Sequence, residues 1–296
     1  MLDYKLVEAF AAVVSCGGFE KAAQSLHLTQ SAVSQRVKQL EEQSGRILLV
    51  RSTPPRPTPA GRDMLRHYRQ VKRLEDDLAS TIGPGSSGFT VLPVGVNADS
   101  LVTWFLPAVQ DFLEAESVLL DLSVDDQDET HKLLRGGEVL GCVSARPEPF
   151  QGCRVEFLGV MDYRLCGTPA YATRWFPNGF TREAAAHAPI MLYNRKDELH
   201  VKLFEQAFGE TVSGHPTAYV PSSGKFPDFV LTGQVSGMLP DEDCLEHIRA
   251  GRMVNLVGDM VLPIPLYWHS WGLDSALLKG FSAALARGAR SRLRQP

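Results

Sequence analysis

The sequence predicts an α/β protein in three parts: a small helical unit, a long connecting helix, and a body of alternating strands and helices. Three observations predict it. Apolar residues at helical spacing, broken at Gly17-Gly18 and at Gly45, mark three short helices at the front of the chain. From Thr90 to Ser270, strand-like apolar runs alternate with helical patterns, which predicts parallel sheets. Charge is partitioned as well: residues 1–75 hold 12 basic and 7 acidic side chains, residues 76–278 hold 13 and 27, and residues 279–296 hold 5 and none. The net charge of −4 thus conceals a basic front on an acidic body, and the two ends suit different partners. An acidic excess also serves solubility alone.

At 296 residues the chain is long enough for two domains, and 44% hydrophobic with 22% charged is ordinary for a globular protein. No apolar run reaches the ~18 residues that a membrane span needs. The opening residues from Met1 to Lys5 lack the basic-then-apolar layout of a signal peptide. Cys16, Cys142, Cys153, Cys166 and Cys244 are scattered, with no C-x-x-C pair. These features predict a cytoplasmic chain with reduced thiols, no metal site and no membrane association.

Leu6, Ala9, Phe10 and Val13 place a first helix before Cys16. A second helix covers residues 19–26, where small Ala22 and Ala23 let another helix cross closely. His27-Leu28 forms a turn, and Thr29 is a good N-cap for a third helix over residues 30–42. Ala32, Val33, Val37 and Leu40 form its buried face; Gln30, Ser31, Ser34, Gln35 and Lys38 form the opposite face, with Arg36 at the flank. Gln bonds adenine bidentately and Arg does the same to guanine, so this face suits base edges in a major groove. The bland alternative is a polar, solvated helix. A short strand over residues 47–50 then leads to a stiff proline-rich wing, whose Arg51 and Arg56 suit phosphate or a minor groove.

The string AAQSLHLTQSAVSQRVKQLEEQSG, followed by LLVRSTPPRPTPAG, resembles the winged helix of the LysR-type transcriptional regulators. The wing PPRPT, the segment NADSLVTWFLPA and the late LYWH resemble one branch of that family, linked to basic amino-acid export and also described as chromosome-initiation inhibitors.

A long polar helix follows, from Pro59 to about Ile82. Met64, Tyr68, Val71, Leu78 and Ile82 form a seam interrupted by Glu75, which fits dimer packing or packing on the helix's own domain. The family resemblance implies dimerisation. Residues 83–88 read as a flexible linker. They match G-x-G-x-x-G formally, but a helix precedes and a strand follows, the reverse of a dinucleotide fingerprint.

In the body, strand-like runs fall at 90–96, 118–124, 139–143, 155–165, 189–193, 216–220, 235–239 and 264–270. Ligands in such sheets bind at strand carboxyl ends. Those ends carry Asn97, Asp99, Ser100 and Thr103, then the acidic run with Asp125 and Asp126, then Ser144, Tyr193, Ser222 and Ser223. Backbone N–H groups and hydroxyls at Ser100, Ser222 and Ser223 suit an α-carboxylate, while Asp99, Asp125 and Asp126 suit a cation. An acidic cleft of this kind suits a basic amino acid. Each residue also has a plainer reading: Asp99-Ser100 as helix caps, residues 125–129 as a solvated loop, Ser222-Ser223 as a turn.

The resemblance supplies the arrangement. It implies a winged helix-turn-helix over residues 1–58, a linker and dimerisation helix over 59–88, and a two-lobed effector domain over 89–296, similar to periplasmic binding proteins. The first lobe would hold 89–160 and 268–296, the second 161–267, with strands crossing near 160–165 and 264–270 and a final helix over 273–288. It implies L-lysine or L-arginine as effector, with no cofactor. The partners would be double-stranded DNA, further copies of the chain and RNA polymerase.

Enzyme signatures are lacking: there is no G-x-S-x-G, H-E-x-x-H or phosphate loop, and no histidine pair at metal-ligand helical spacing. His269, beside Trp268 and Trp271, reads as a core or interlobe residue. The expected function is sequence-specific transcription regulation tuned by a basic amino acid, governing a gene for its export or metabolism. The alternative is a DNA-architectural or replication-initiation-inhibiting protein without a ligand. A solute-binding protein of the same body fold is countered by the DNA-binding front.

Overall fold

A computed structural model describes residues 2–82, 89–125 and 130–295, without the side chains of 80–82 and 125. The predicted linker at 83–88 lies outside the described residues. Asp3 caps α1 (Tyr4–Ser15) by accepting from the Lys5 backbone N–H at 3.0 Å. After Gly17 and Gly18 come α2 (Phe19–Ser25) and α3 (Gln30–Ser44). Thr29 Oγ1 accepts from the Ala32 N–H at 3.2 Å, so the predicted cap starts α3. Phe10, Val13, Ala22, Ala23, Val33, Val37 and Leu40 share one core, and truncating Leu40 to alanine would cost roughly 2–5 kcal/mol.

The wing is a two-stranded ribbon, β1 (Leu49–Val50) against β2 (Arg56–Pro57), shorter than the expected strand at 47–50. The Glu41 carboxylate explains the difference: it accepts from the Leu48 and Leu49 N–H groups at 2.8 and 3.1 Å and leaves Ile47 71% exposed. The connecting helix α4 (Pro59–Ile82) then passes so close to the wing that a Cβ at Gly61 would lie 2.1 Å from the Leu48 carbonyl oxygen. Only glycine fits there.

The seam of α4 divides between two uses. Met64, Leu65 and Tyr68 pack on the helix-turn-helix core. Val71 is half-buried and Leu78 is 58% exposed, with Leu74 beside the seam 40% exposed, and the Ile82 side chain lies outside the described residues. Midway along α4, Arg66 donates to the Arg135 carbonyl at 3.1 Å and stands over the Trp271 ring at 5.8 Å, while Arg69 donates to the Gly137 carbonyl. The front of the chain therefore rests on the body through arginines and backbone carbonyls.

The body is built on one nine-stranded mixed sheet. On one side β3 (Thr90–Asn97) lies parallel to both β4 (Val118–Asp125) and β5 (Gly141–Ser144). A helical stretch follows β3: α5 (Ala98–Ser100), a π-helical turn (Leu101–Phe105) and α6 (Leu106–Ala115). Between β4 and β5 runs α7 (Thr130–Arg135). The middle of the sheet is β6 (Cys153–Gly167), which later pairs antiparallel with β11 (Leu262–Trp271). These strands exceed the expected runs at 155–165 and 264–270 by a few residues, because they pair along their length with one register shift at Leu266/Tyr267.

On the other side, α8 (Pro169–Trp175), α9 (Arg182–His187), β7 (Ile190–Leu192), α10 (Leu199–Phe208) and β8 (Thr217–Tyr219) follow in order. Next come a 3-10 turn (Ser223–Lys225), α11 (Phe226–Leu231), β9 (Ser236–Pro240), α12 (Asp241–Arg249) and β10 (Val254–Asn255). β7 lies parallel to β8 and β9, and β9 and β10 run antiparallel to β6. The final helix α13 (Ala276–Arg290) packs on α6, with Phe112 and Phe281 edge-on at 5.8 Å. It returns to the first side of the sheet and begins three residues later than predicted, because Ser275 caps it through the Leu278 N–H.

Candidate functional site

Two groups of predicted residues fall on separate surfaces. On α3, Gln30, Ser31, Gln35 and Lys38 are exposed beside exposed Thr29, while Ser34 and Arg36 are half-buried. Lys38 pairs with Glu42 at 3.6 Å across one turn. Arg51 and Arg56 are exposed on the wing, and Glu41 ties that wing to α3. One face of a rigid helix therefore offers amide, hydroxyl and cationic groups, with two further cations on the ribbon. A helix bearing such groups, seated on an apolar core, fits the major groove of a duplex.

The second group surrounds the ends of β3 and β7. Asn97, Asp99 and Tyr193 line one cavity, together with Asp197, Phe226 and Met238. Asp99 stands in the first turn of the helical stretch after β3. Its Oδ2 accepts from the Tyr163 hydroxyl at 2.7 Å, and its Oδ1 accepts from the Ser223 hydroxyl. Tyr163 stands on the central strand β6 and Ser223 on the far side of the sheet, so one carboxylate links three parts of the body. Burial pushes the Asp99 carboxyl up, and the charge of Asp197 adds to this against the two hydroxyl donors.

Asp243, on α12, is pushed up to about 6 by burial and by the charges of Asp99 and Glu242. Burial raises the Glu242 carboxyl too. Among the described residues no cation pairs with Asp99 or Asp243 within 4.0 Å. Nor do the amide atoms of Asn97, 1% exposed at the cleft, find a hydrogen-bond partner. A buried carboxylate without an ion pair and an unmet amide, both lining the cavity, are chemistry suited to a polar cation.

The other predicted residues are engaged elsewhere or turned away. Ser100 is buried and accepts from the Trp104 indole N–H at 3.1 Å. Thr103 donates to the Asp99 carbonyl at 2.7 Å. Ser144 is buried and accepts from the Arg146 N–H at 3.3 Å, and Ser222 is exposed, with Ser223 rather than Ser222 reaching Asp99. Asp126 and the side chain of Asp125 lie outside the described residues. His269 is buried, its Nε2 at 2.8 Å from the Arg146 carbonyl.

Sequence reasoning missed Asp197, Asp243 and Tyr163. Asp197 accepts from the Tyr193 and Leu199 N–H groups at 2.9 and 3.1 Å, pinning the loop after β7. A signal for Asp243 was present, since Asp241-Glu242-Asp243 follows the strand at 235–239 after a single proline.

Comparison with known proteins places both the front and the body of the chain in one family. The profile of the family described as "Bacterial regulatory helix-turn-helix protein, lysR family" matches residues 4–62, and "LysR substrate binding domain" matches residues 90–290. The HTH-type transcriptional regulator ArgP of Aeromonas salmonicida is 41% identical over 293 residues, covering 99% of this chain and 98% of its own. The crystal structure of ArgP from Mycobacterium tuberculosis superposes with a TM-score of 0.89 at 38% identity, covering 100% of both chains. Full-length LysG from Corynebacterium glutamicum, with bound effector Arg, gives 0.80 at 29% identity over 99% of this chain and 100% of its own.

Proposed function

Because this chain belongs to the LysR family of bacterial helix-turn-helix transcriptional regulators, we propose that its operator binding is set by a basic amino acid, L-arginine or L-lysine, held at Asp99. As a member of that family it is a DNA-binding regulator and not an enzyme. The observation that carries the effector reading is the buried pair Asp99 and Asp243, both with raised carboxyls and neither paired to a cation among the described residues. A guanidinium or ammonium group would supply the missing charge, and the Asn97 amide would meet the amino or carboxylate end. The arginine bound to LysG, a relative of the same fold, supports the same class of ligand.

The cavity as it stands has a volume of about 20 Å³, room for about one water. An amino acid is much larger, so binding requires the walls to part. The Ser223–Asp99 hydrogen bond is the contact that must yield, with the ligand's cation replacing the hydroxyl on Asp99 while Tyr163 keeps its hold. That movement reaches the front of the chain through α4, which rests on the body at Arg135, Gly137 and Trp271. The ligand alters operator affinity to the extent that it binds the two arrangements differently. On DNA, Gln30, Ser31, Ser34, Gln35, Arg36 and Lys38 would address base edges, and Arg51 and Arg56 would hold phosphates. Leu74 and Leu78 suit pairing with a second copy, which would set two half-sites about one helical turn or a multiple apart. The regulated gene would serve export or metabolism of the same amino acid.

Selection of random duplexes by the full chain tests this reading. The expected result is enrichment of one two-half-site sequence, whose affinity changes with L-arginine or L-lysine and not with L-leucine or L-glutamate. An operator affinity untouched by all four would contradict the effector assignment.

A further inference from the structure

The basic stretch that closes the chain takes no part in either surface above, yet it borders a second cavity. Between α13 and the ends of β6 and β11 lies a groove of about 430 Å³, within the size range of small-molecule sites. Small side chains create it: Ser282, Ala283 and Ala286 line the helix wall and leave room that larger residues would fill. The floor is apolar, with Trp271 and Leu278 both nearly buried.

The rim is cationic, and its charges are unevenly matched. Arg290 pairs with Glu156 across the groove at 2.9 Å, and Lys279 pairs with Asp274. Arg154 and Arg287 also line the groove and have no ion-pair partner among the described residues. Arg154 also acts on Asp274 at longer range, yet the lining holds Arg154, Lys279, Arg287 and Arg290 against one acid, Glu156. A net-positive rim above an aromatic floor is the complement of an anion with an apolar body. We infer that this groove is a second ligand site, distinct from the Asp99 cleft, for a small carboxylate carrying an aryl or branched-alkyl group. The carboxylate lies between Arg154 and Arg287, and the apolar group covers Trp271 against Leu278. A duplex phosphate backbone fits less well, because it brings no apolar surface to the floor and cannot enter a concavity of this size. Trp271 also carries Arg66 of α4, so an occupant would touch a residue on which the connecting helix rests.

Calorimetric titration of the full chain tests this, with phenylacetate as probe, phenylacetamide as its uncharged analogue and acetate as its carboxylate alone. Saturable binding of phenylacetate is expected, with Kd on the order of 1 mM or tighter, and none with the other two. Arg287→Ala should weaken it by roughly tenfold or more. Ala283→Phe, at an exposed position, should abolish it by filling the groove while leaving the thermal melt unchanged. Absence of saturable phenylacetate binding, or binding that survives Ala283→Phe, would overturn the inference. So would an Arg287→Ala variant that loses duplex DNA binding and keeps phenylacetate.

Discussion

Asp243, buried beside Asp99, works against the fold when it ionises. Its carboxyl is pushed up to about 6, above the ordinary 3.8, because it is buried beside Asp99 and Glu242. The folded chain therefore binds more protons here than the unfolded chain between about pH 4 and 6, and the ionised form destabilises the protein above that window. Asp243→Asn should raise the melting temperature at pH 7.5 by roughly 2–4 °C, with the gain vanishing near pH 4. The same variant should bind L-arginine more weakly. Differential scanning fluorimetry checks the first part, and an unchanged melt at pH 7.5 would show that no charge repulsion is stored there. For the unaltered chain, affinity for L-arginine should fall as pH drops from 7.5 to 5.5, since binding must expel the proton that the acid cluster takes up. His200 contributes the opposite slope to stability. Burial and the neighbouring His215 hold it down at about 4, so its contribution is lost as pH falls from 6.5 towards 4. Comparing variant with parent removes that background.

The three front helices were legible because each is written in local spacing. Thr29 caps α3, Gly45 follows its last residue, and Val33, Val37 and Leu40 form the predicted buried face. The wing was read less well, because Glu41 takes the Leu48 N–H from seven residues away. Gln30→Ala or Arg36→Ala should weaken operator binding by roughly tenfold, measured by fluorescence anisotropy, with L-arginine binding unchanged. If both variants hold the operator as the parent does, α3 is not the reading helix. The contact between α4 and the body was invisible in sequence, since Arg66 meets Arg135 and Arg69 meets Gly137 across almost seventy residues. Gly137 has a φ of +70°, and a Cβ there would lie 2.6 Å from Arg66 Cα. Gly137→Ala should therefore loosen α4 from the body. L-arginine binding should persist while its effect on operator affinity shrinks, and full retention of that effect would place the coupling elsewhere.

At the scale of the molecule, alternating strands and helices revealed the class of the body, and the strand ends pointed to Asn97, Asp99 and Tyr193. Which strand ends face one another depends on sheet order. The order β4-β3-β5-β11-β6-β9-β7-β8 places β6 and β9 between distant parts of the chain, and this is what brings Tyr163 and Asp243 to Asp99. Spacing along the sequence carries no record of that closure, nor of the engagement of Ser100 by Trp104. In the proposed function, this acid cluster recognises the positive charge of the effector. Calorimetric titration of the full chain with L-arginine and with L-citrulline, its uncharged near-isostere, tests it most directly. Saturable binding of L-arginine is expected, with binding of L-citrulline weaker by roughly a hundredfold. Equal affinity for the two, or heat from neither, would contradict it.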